Sequence, residues 1–221
     1  MNRNLFTLPL STALLACGAA LPCAAAVLVG NLDQPTRATT IVPIDQGWAA
    51  QSFATGAASE VLSAIDMLAG LRSGTPVVVA ELHADSVDGP GALLATFSMP
   101  LLPSGTLQPV VLTPDIAAVL APFSTYWLVM GTSGAGAFGW SYAQGNASSG
   151  PGALGAYAYS PDQGASWSSF GTDNPYQLEV EVSAVPEPAS ASMLALGLGL
   201  LGVQAWRSCS TTLSAHARRA A

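Results

Sequence analysis

The sequence predicts an all-β protein: a single antiparallel β-sandwich or jelly-roll-like domain, flanked by an apolar leader at one end and an apolar helical span at the other. Three observations lead there. Short strand-like runs follow one another through the middle of the chain, separated by clusters of Gly, Pro, Asn and Asp. The run Tyr176–Val182 alternates strictly, with Leu178, Val180 and Val182 on one face and Gln177, Glu179 and Glu181 on the other. Between residues 27 and 185 there is no long amphipathic helical pattern and no repeat of 20–50 residues, which excludes solenoids and propellers.

Taken in order, the candidate strands are 27–32, 48–55, 60–68, 77–84, 92–97, 108–113, 125–130, 137–143, 155–160 and 176–182. Val77-Val78-Val79 opens with β-branched residues and passes into alternation through Glu81 and His83. Thr125–Met130 is continuously apolar, as a strand covered on both faces should be. Glu60–Ala69 is ambiguous, because Leu62, Ile65 and Ala69 also suit one face of a helix. Turn signals at Asp88-Gly89-Pro90-Gly91 and from Asn146 to Gly152 recur at sandwich spacing.

Composition narrows the function classes. Half of the 221 residues are apolar and only 9% are charged, against about 25% in ordinary domains. Residues 27–185 hold 12 acidic residues and only two basic ones, Arg37 and Arg72, a balance of −10. A lysine-free, acidic domain does not bind nucleic acid, since nothing neutralises phosphates. Its apolar content is too high for disorder.

The two ends carry the clearest signals. Arg3 followed by the short apolar run Leu5–Ala16 reads as a secretory leader, and Ala24 and Ala26 supply the small residues signal peptidase needs; residues 1–26 are removed and Val27 becomes the first mature residue. A competing reading takes Leu14-Leu15-Ala16-Cys17 as a lipobox, with Cys17 lipidated. Cleavage at Ala26 also removes Cys23, and Cys209 lies beyond the C-terminal span. The domain at 27–183 therefore has no disulfide, thiol nucleophile or Cys-based metal site. Residues 184–221 divide into Val185-Pro186-Glu187-Pro188, an 18-residue apolar span at 189–206, and a basic tail at 207–221 that opens with Arg207. A helix of that length spans about 27 Å, just enough for a bilayer core.

Pro-Glu-Pro, then an apolar span, then Arg resembles the PEP-CTERM sorting signal of exported proteins in exopolysaccharide-producing Gram-negative bacteria. The resemblance implies recognition by exosortase, a membrane-embedded protease-transpeptidase, at Val185, Pro186, Glu187, Pro188 and Arg207. It implies transient anchoring in the inner membrane through 189–206, then release to the envelope surface or the medium. The two prolines hold the backbone extended and unpaired at the membrane face, where a protease can grip it. A plain tail anchor is the alternative. In the middle of the chain, Val29-Gly30-Asn31-Leu32, Ala50–Gly56, Val79–Asp85, Gly89-Pro90-Gly91, Thr125-Tyr126-Trp127 and Gly164–Trp167 together resemble the choice-of-anchor R domain. That resemblance implies an extracellular β domain and brings no catalytic residues with it.

Motifs for chemistry are weak. His83 lies between Glu81 and Asp85, but no Gly-x-Ser-x-Gly elbow exists to build a triad with it. Gly134-Ala135-Gly136-Ala137-Phe138-Gly139 fits the dinucleotide pattern yet precedes no helix, so it reads as a hairpin loop. Asp85 and Asp88 lack the oxygen spacing of a Ca²⁺ loop, and as the one carboxylate cluster visible in the sequence they give no reason for the domain to need a metal to fold. Ser160-Pro161-Asp162-Gln163-Gly164-Ala165-Ser166-Trp167 matches the Asp-box pattern, a hairpin brace in which Asp caps the turn. The late aromatics Trp140, Tyr142, Tyr157, Tyr159 and Trp167 offer an alternative, a glycan-binding face built from sugar-stacking rings. The leading expectation is a non-enzymatic surface or extracellular-matrix protein without cofactor, with exosortase and signal peptidase as processing partners and exopolysaccharide around it. A hydrolase with an unrecognised site ranks third.

Overall fold

The structure is a computed structural model describing residues 25–42, 47–185 and 197–199. Its strands are β1 (Ala26–Gly30), β2 (Thr36–Val42), β3 (Trp48–Ala54), β4 (Glu60–Gly74), β5 (Val77–Ser86), β6 (Gly89–Ser98) and β7 (Gln108–Pro114). They continue with β8 (Val119–Leu120), β9 (Thr125–Ser133), β10 (Gly136–Ala143), β11 (Ala153–Ser160), β12 (Ser168–Ser169) and β13 (Leu178–Ala184). Every pairing between these strands is antiparallel. The all-β, antiparallel expectation therefore holds.

In place of two separate sheets, hydrogen bonding makes one open sheet in the order β1-β13-β4-β7-β6-β5-β9-β3-β11-β12, with β10 bridging β2 and β4 and β8 beside β4. The join is short: only Phe97↔Pro114 and Ser98↔Thr113 connect β6 to β7. On one side of it the 15-residue β4 is the hub, with β13 and then β10 along one edge and β7 and β8 along the other. On the other side β9 and β3 form the centre. Side chains from both stretches share one core: Leu62, Ile65 and Met67 of β4 and Val180 of β13 meet Phe53 of β3, Leu82 of β5 and Leu128 and Met130 of β9. Burial of these apolar faces is the main term holding the two stretches of the sheet together.

The ambiguous segment is a strand, and the reason it looked helical is a β-bulge. Glu181 pairs with Ala64 but Val182 pairs with Leu62, so Ser63 is an extra residue on β4. The fully buried positions then step 62, 65, 67, 69, and the first step of three imitates a helical period. β13 follows the predicted alternation from Leu178 on, with Leu178, Val180 and Val182 buried. Gln177, expected on the outer face, instead precedes the strand and is buried, accepting from Thr36 Oγ1 and donating to Gln34 O. Val87-Asp88 forms the two-residue loop of the β5–β6 hairpin, with Gly89 at positive φ. Gly134-Ala135, expected as a hairpin loop, joins β9 to β10 without making a hairpin, because β9 pairs with β3 and β5 whereas β10 pairs with β2 and β4; Gly134 and Gly136 take positive φ there. Three strands escaped prediction: β8, β12 and, more consequentially, β2.

The expected span at 189–206 lies outside the described residues except for 197–199, which are helical. Among the described residues no helix is long and apolar enough to cross a membrane.

Candidate functional site

Beside the core, where β2 and β10 approach β11 and the segment leading into β13, lies a surface pocket of about 370 Å³. Three tyrosines form its apolar part: Tyr142 from β10, Tyr157 from β11 and Tyr176 just before β13. Tyr176 is the fixed member. Its ring stacks on Trp140 at 4.2 Å and 15°, and its hydroxyl donates to Thr40 Oγ1 at 3.2 Å. Burial pushes its phenol above the ordinary value, against the opposing effect of the Thr40 bond. Tyr142 and Tyr157 stand nearly perpendicular to it, at 88° and 82°. Phe170 stacks on Tyr157 with centroids 5.3 Å apart.

The polar part of the pocket comes from β2 and the 171–175 turn, neither of which carries a sequence signal for a site. Arg37 is the extra residue of a bulge, since Tyr142 pairs with Ala38 and Ala143 with Thr36. Strict alternation would put Arg37 and Thr40 on opposite faces; with the bulge both line the pocket. Asp173 and Asn174 complete it. Asn174 takes φ +58, and its Oδ1 accepts from Gly145 N–H at 3.1 Å.

Of the five aromatics expected to form one face, the structure brings only Tyr142 and Tyr157 together here. Trp140 is not available to a ligand: it is fully buried, and its indole N–H donates to Gln177 O at 3.1 Å. Trp167 belongs elsewhere, packed with Trp48 and Trp127 in a second apolar cluster. Tyr159 does not line the pocket and sits against Gly47.

The Asp box forms the expected brace. Asp162 Oδ1 accepts from Ser160 Oγ and Ser166 N–H, both at 2.8 Å, while its Oδ2 accepts from Ser166 Oγ at 2.7 Å. Gly164 takes φ +91, as the turn requires. These bonds, led by those from Ser166, hold the Asp162 carboxyl below its ordinary value. His83 meets Glu81 Oε2 and Gly91 O, each at 2.8 Å, and Asp85 accepts from Trp127 Nε1 at 2.7 Å. No serine hydroxyl is hydrogen-bonded to His83 among the described residues.

The carboxylates that do converge are not those on the β5–β6 turn. Asp66, Glu179 and Glu181 come together from β4 and β13, with oxygens within 4.8 Å of one another, and are the group among the described residues with the reach to hold a metal ion. Alternation put Glu179 and Glu181 on one face; their meeting with Asp66 depends on the cross-strand pair Glu179↔Asp66, which sequence order alone does not give. Asp66 Oδ1 is buried without a hydrogen-bond partner. Desolvation, then the Glu181 charge, pushes Asp66 above its ordinary value; desolvation, then Asp66, does the same for Glu179.

The two ends of the domain leave side by side. Ala26, the expected last residue of the leader, is the first of β1 and pairs with Val182, while β13 ends two residues later at Ala184. Val185 is partly buried directly after it; Ala24, Pro186, Glu187, Pro188 and Arg207 lie outside the described residues. The segment beyond β13 decides where the chain is routed. Residues 184–208 match the PEP-CTERM protein-sorting motif. The PEP-CTERM match starts at the last residue of β13, takes in Val185–Pro188, the apolar span and Arg207, and leaves the β domain outside it. A PEP-CTERM motif marks an exported protein sorted by way of the membrane. No curated protein matches the chain.

Proposed function

We propose that this chain is a non-enzymatic surface or extracellular-matrix protein, exported under its N-terminal leader and trimmed at its C-terminus by exosortase. The observation that carries the reading is the sorting motif at 184–208, beginning where the last strand ends. Cleavage next to Val185–Pro188 would then release a folded domain without unfolding β13. Signal peptidase would act after Ala26. The shared core of the two stretches of sheet supports a sandwich-like domain; its choice-of-anchor R type rests on the sequence resemblance, and a setting in exopolysaccharide on the sorting system rather than on the domain. The scarcity of His, Lys, Arg and Cys in the domain argues against a hydrolase.

The test is intact mass spectrometry of the protein from exosortase-bearing cells. The wild type should end near Pro188, without Trp206 and Arg207. Replacing Pro186 and Pro188 by Ala, which is about 3 kcal/mol better in a helix interior, should let the helix extend over the scissile backbone. That variant should stay full-length in the membrane fraction. A wild type that keeps Arg207 in such cells would make this a tail-anchored protein instead.

A further inference from the structure

We propose that the tyrosine-lined pocket bounded by β2, β10, β11 and the 171–176 segment binds a neutral saccharide chain. This goes beyond sorting, which sets where the domain travels and says nothing of what it holds. The pocket volume of about 370 Å³ lies in the range of small-ligand sites, roughly 300–1,000 Å³.

The lining selects the ligand class. No Leu, Ile, Val or Met side chain lines the pocket; its large apolar side chains are the three tyrosines. A purely apolar ligand would leave Arg37 and Asp173 unpaired on desolvation. A ligand with C–H faces and hydroxyls fits both parts, since hydroxyls donate and accept at the same atom. Spare hydrogen-bonding capacity of both kinds is present. The Arg37 guanidinium and the Asn174 amide N–H₂ are donors with no bond to another described residue, and the Asp173 carboxylate is an acceptor in the same position. The phenolic groups of Tyr142 and Tyr157 add donors that also accept.

Neutrality follows from charge. Arg37 and Asp173 balance within the pocket, and the surrounding domain carries −10, so the long-range field repels polyanions. The site is also held in shape before any ligand arrives. Tyr176 is clamped between Trp140 and Thr40, the bulge fixes where Arg37 projects, and Asn174 is tied to Gly145 in a left-handed conformation. Preorganised rings and donors lower the ordering cost of binding.

The experiment uses the full chain in a detergent without a sugar headgroup. Calorimetric titration with neutral hexose, deoxyhexose and N-acetylhexosamine oligosaccharides is compared with oligogalacturonate. At least one neutral series should bind saturably at one site, and the uronate should bind at least about ten-fold more weakly. Tyr142→Ala and Arg37→Ala should each weaken binding by about ten-fold or more. Arg37→Ala should melt near the wild type, because Arg37 is exposed, whereas Tyr142→Ala removes a ring packed against the core beside Tyr176 and should melt lower, so its binding is read well below its melting temperature. Leu93→Ser, on an exposed strand position away from the pocket, should leave binding unchanged. Three results would overturn the proposal: no neutral oligosaccharide bound up to about 10 mM, tighter binding of the uronate, or affinity unchanged in both pocket variants. None of them bears on C-terminal processing, which the mass measurement reads separately.

Discussion

Replacing Asp66 by Asn should stabilise the domain at neutral pH. Asp66, Glu179 and Glu181 bring their carboxylate oxygens within 4.8 Å of one another, and Asp66 Oδ1 is buried without a partner. At that separation two full charges repel by about 0.9 kcal/mol even at the dielectric of water. Asp66 has two such neighbours, so removing its charge should gain about 1–2 kcal/mol, less in salt that screens over about 8 Å. The Asn amide can also donate to the carboxylates that remain. For a domain of this size the melting temperature should rise by roughly 2–8 °C. The pH profile supplies the sign. The carboxyls of Asp66 and Glu179 are raised above their ordinary values of 3.8 and 4.5, so the folded chain holds their protons to higher pH than the unfolded chain. Wild-type stability from this group is therefore greatest below those ordinary values and falls as pH rises through the raised ones. Asp66→Asn should flatten that fall and lose its advantage near pH 3.5. Thermal melts of both proteins at pH 7.5 and 3.5, in low salt with EDTA, measure it. A variant that melts lower than wild type at pH 7.5 refutes the repulsion argument. If EDTA lowers the wild type as well, the three carboxylates hold a cation.

Trp140→Phe should cost about 1–3 kcal/mol in chemical denaturation, because it leaves Gln177 O without its indole donor and opens space beside Tyr176. Gly131→Ala should cost about 1–3 kcal/mol by the same measurement, since a Cβ there would collide with the Trp48 indole in a packed cluster. Asp162→Ala should speed proteolysis within residues 161–167 by freeing Ser166 and Ser160 from the turn. Because the Asp162 carboxyl lies below its ordinary value of 3.8, its contribution is complete above that value and is lost as pH falls through the lowered one, so acid should mimic the substitution.

Where the backbone keeps regular alternation, the sequence was readable. Leu178, Val180 and Val182 fall where period two puts them, and the continuously apolar Thr125–Met130 becomes the buried part of β9. Where one residue is inserted, periodicity misleads: Ser63 makes a strand resemble a helix, and Arg37 reaches a face that its position in β2 does not predict. β2 itself was missed because it is largely exposed, Thr-rich and paired only to β10, so no apolar rhythm betrays it. The Asp box was legible because its bonds are local, spanning Ser160 to Ser166. The pocket and the carboxylate cluster were not, because both join segments roughly a hundred or more residues apart, Arg37 with Asp173 and Asp66 with Glu179, and only the register of distant strands sets those meetings.

The position of β13 has a mechanical consequence. It runs between β1 and β4, paired on both sides, and residue 185 continues directly from its end. When the domain is held at its surface and the C-terminus is pulled along the strand, tension enters the sheet through β13. Its two ladders then meet the force in shear, many hydrogen bonds stretched together, where a strand pulled sideways from an edge would part bond by bond. β1 carries none of that tension unless the segment preceding it is also fixed. A chain pulled at both ends, which emerge at the same pole, would instead peel β1 from β13 like a zipper. With nothing fixed ahead of β1, the fold would not meet that weakest direction of pulling.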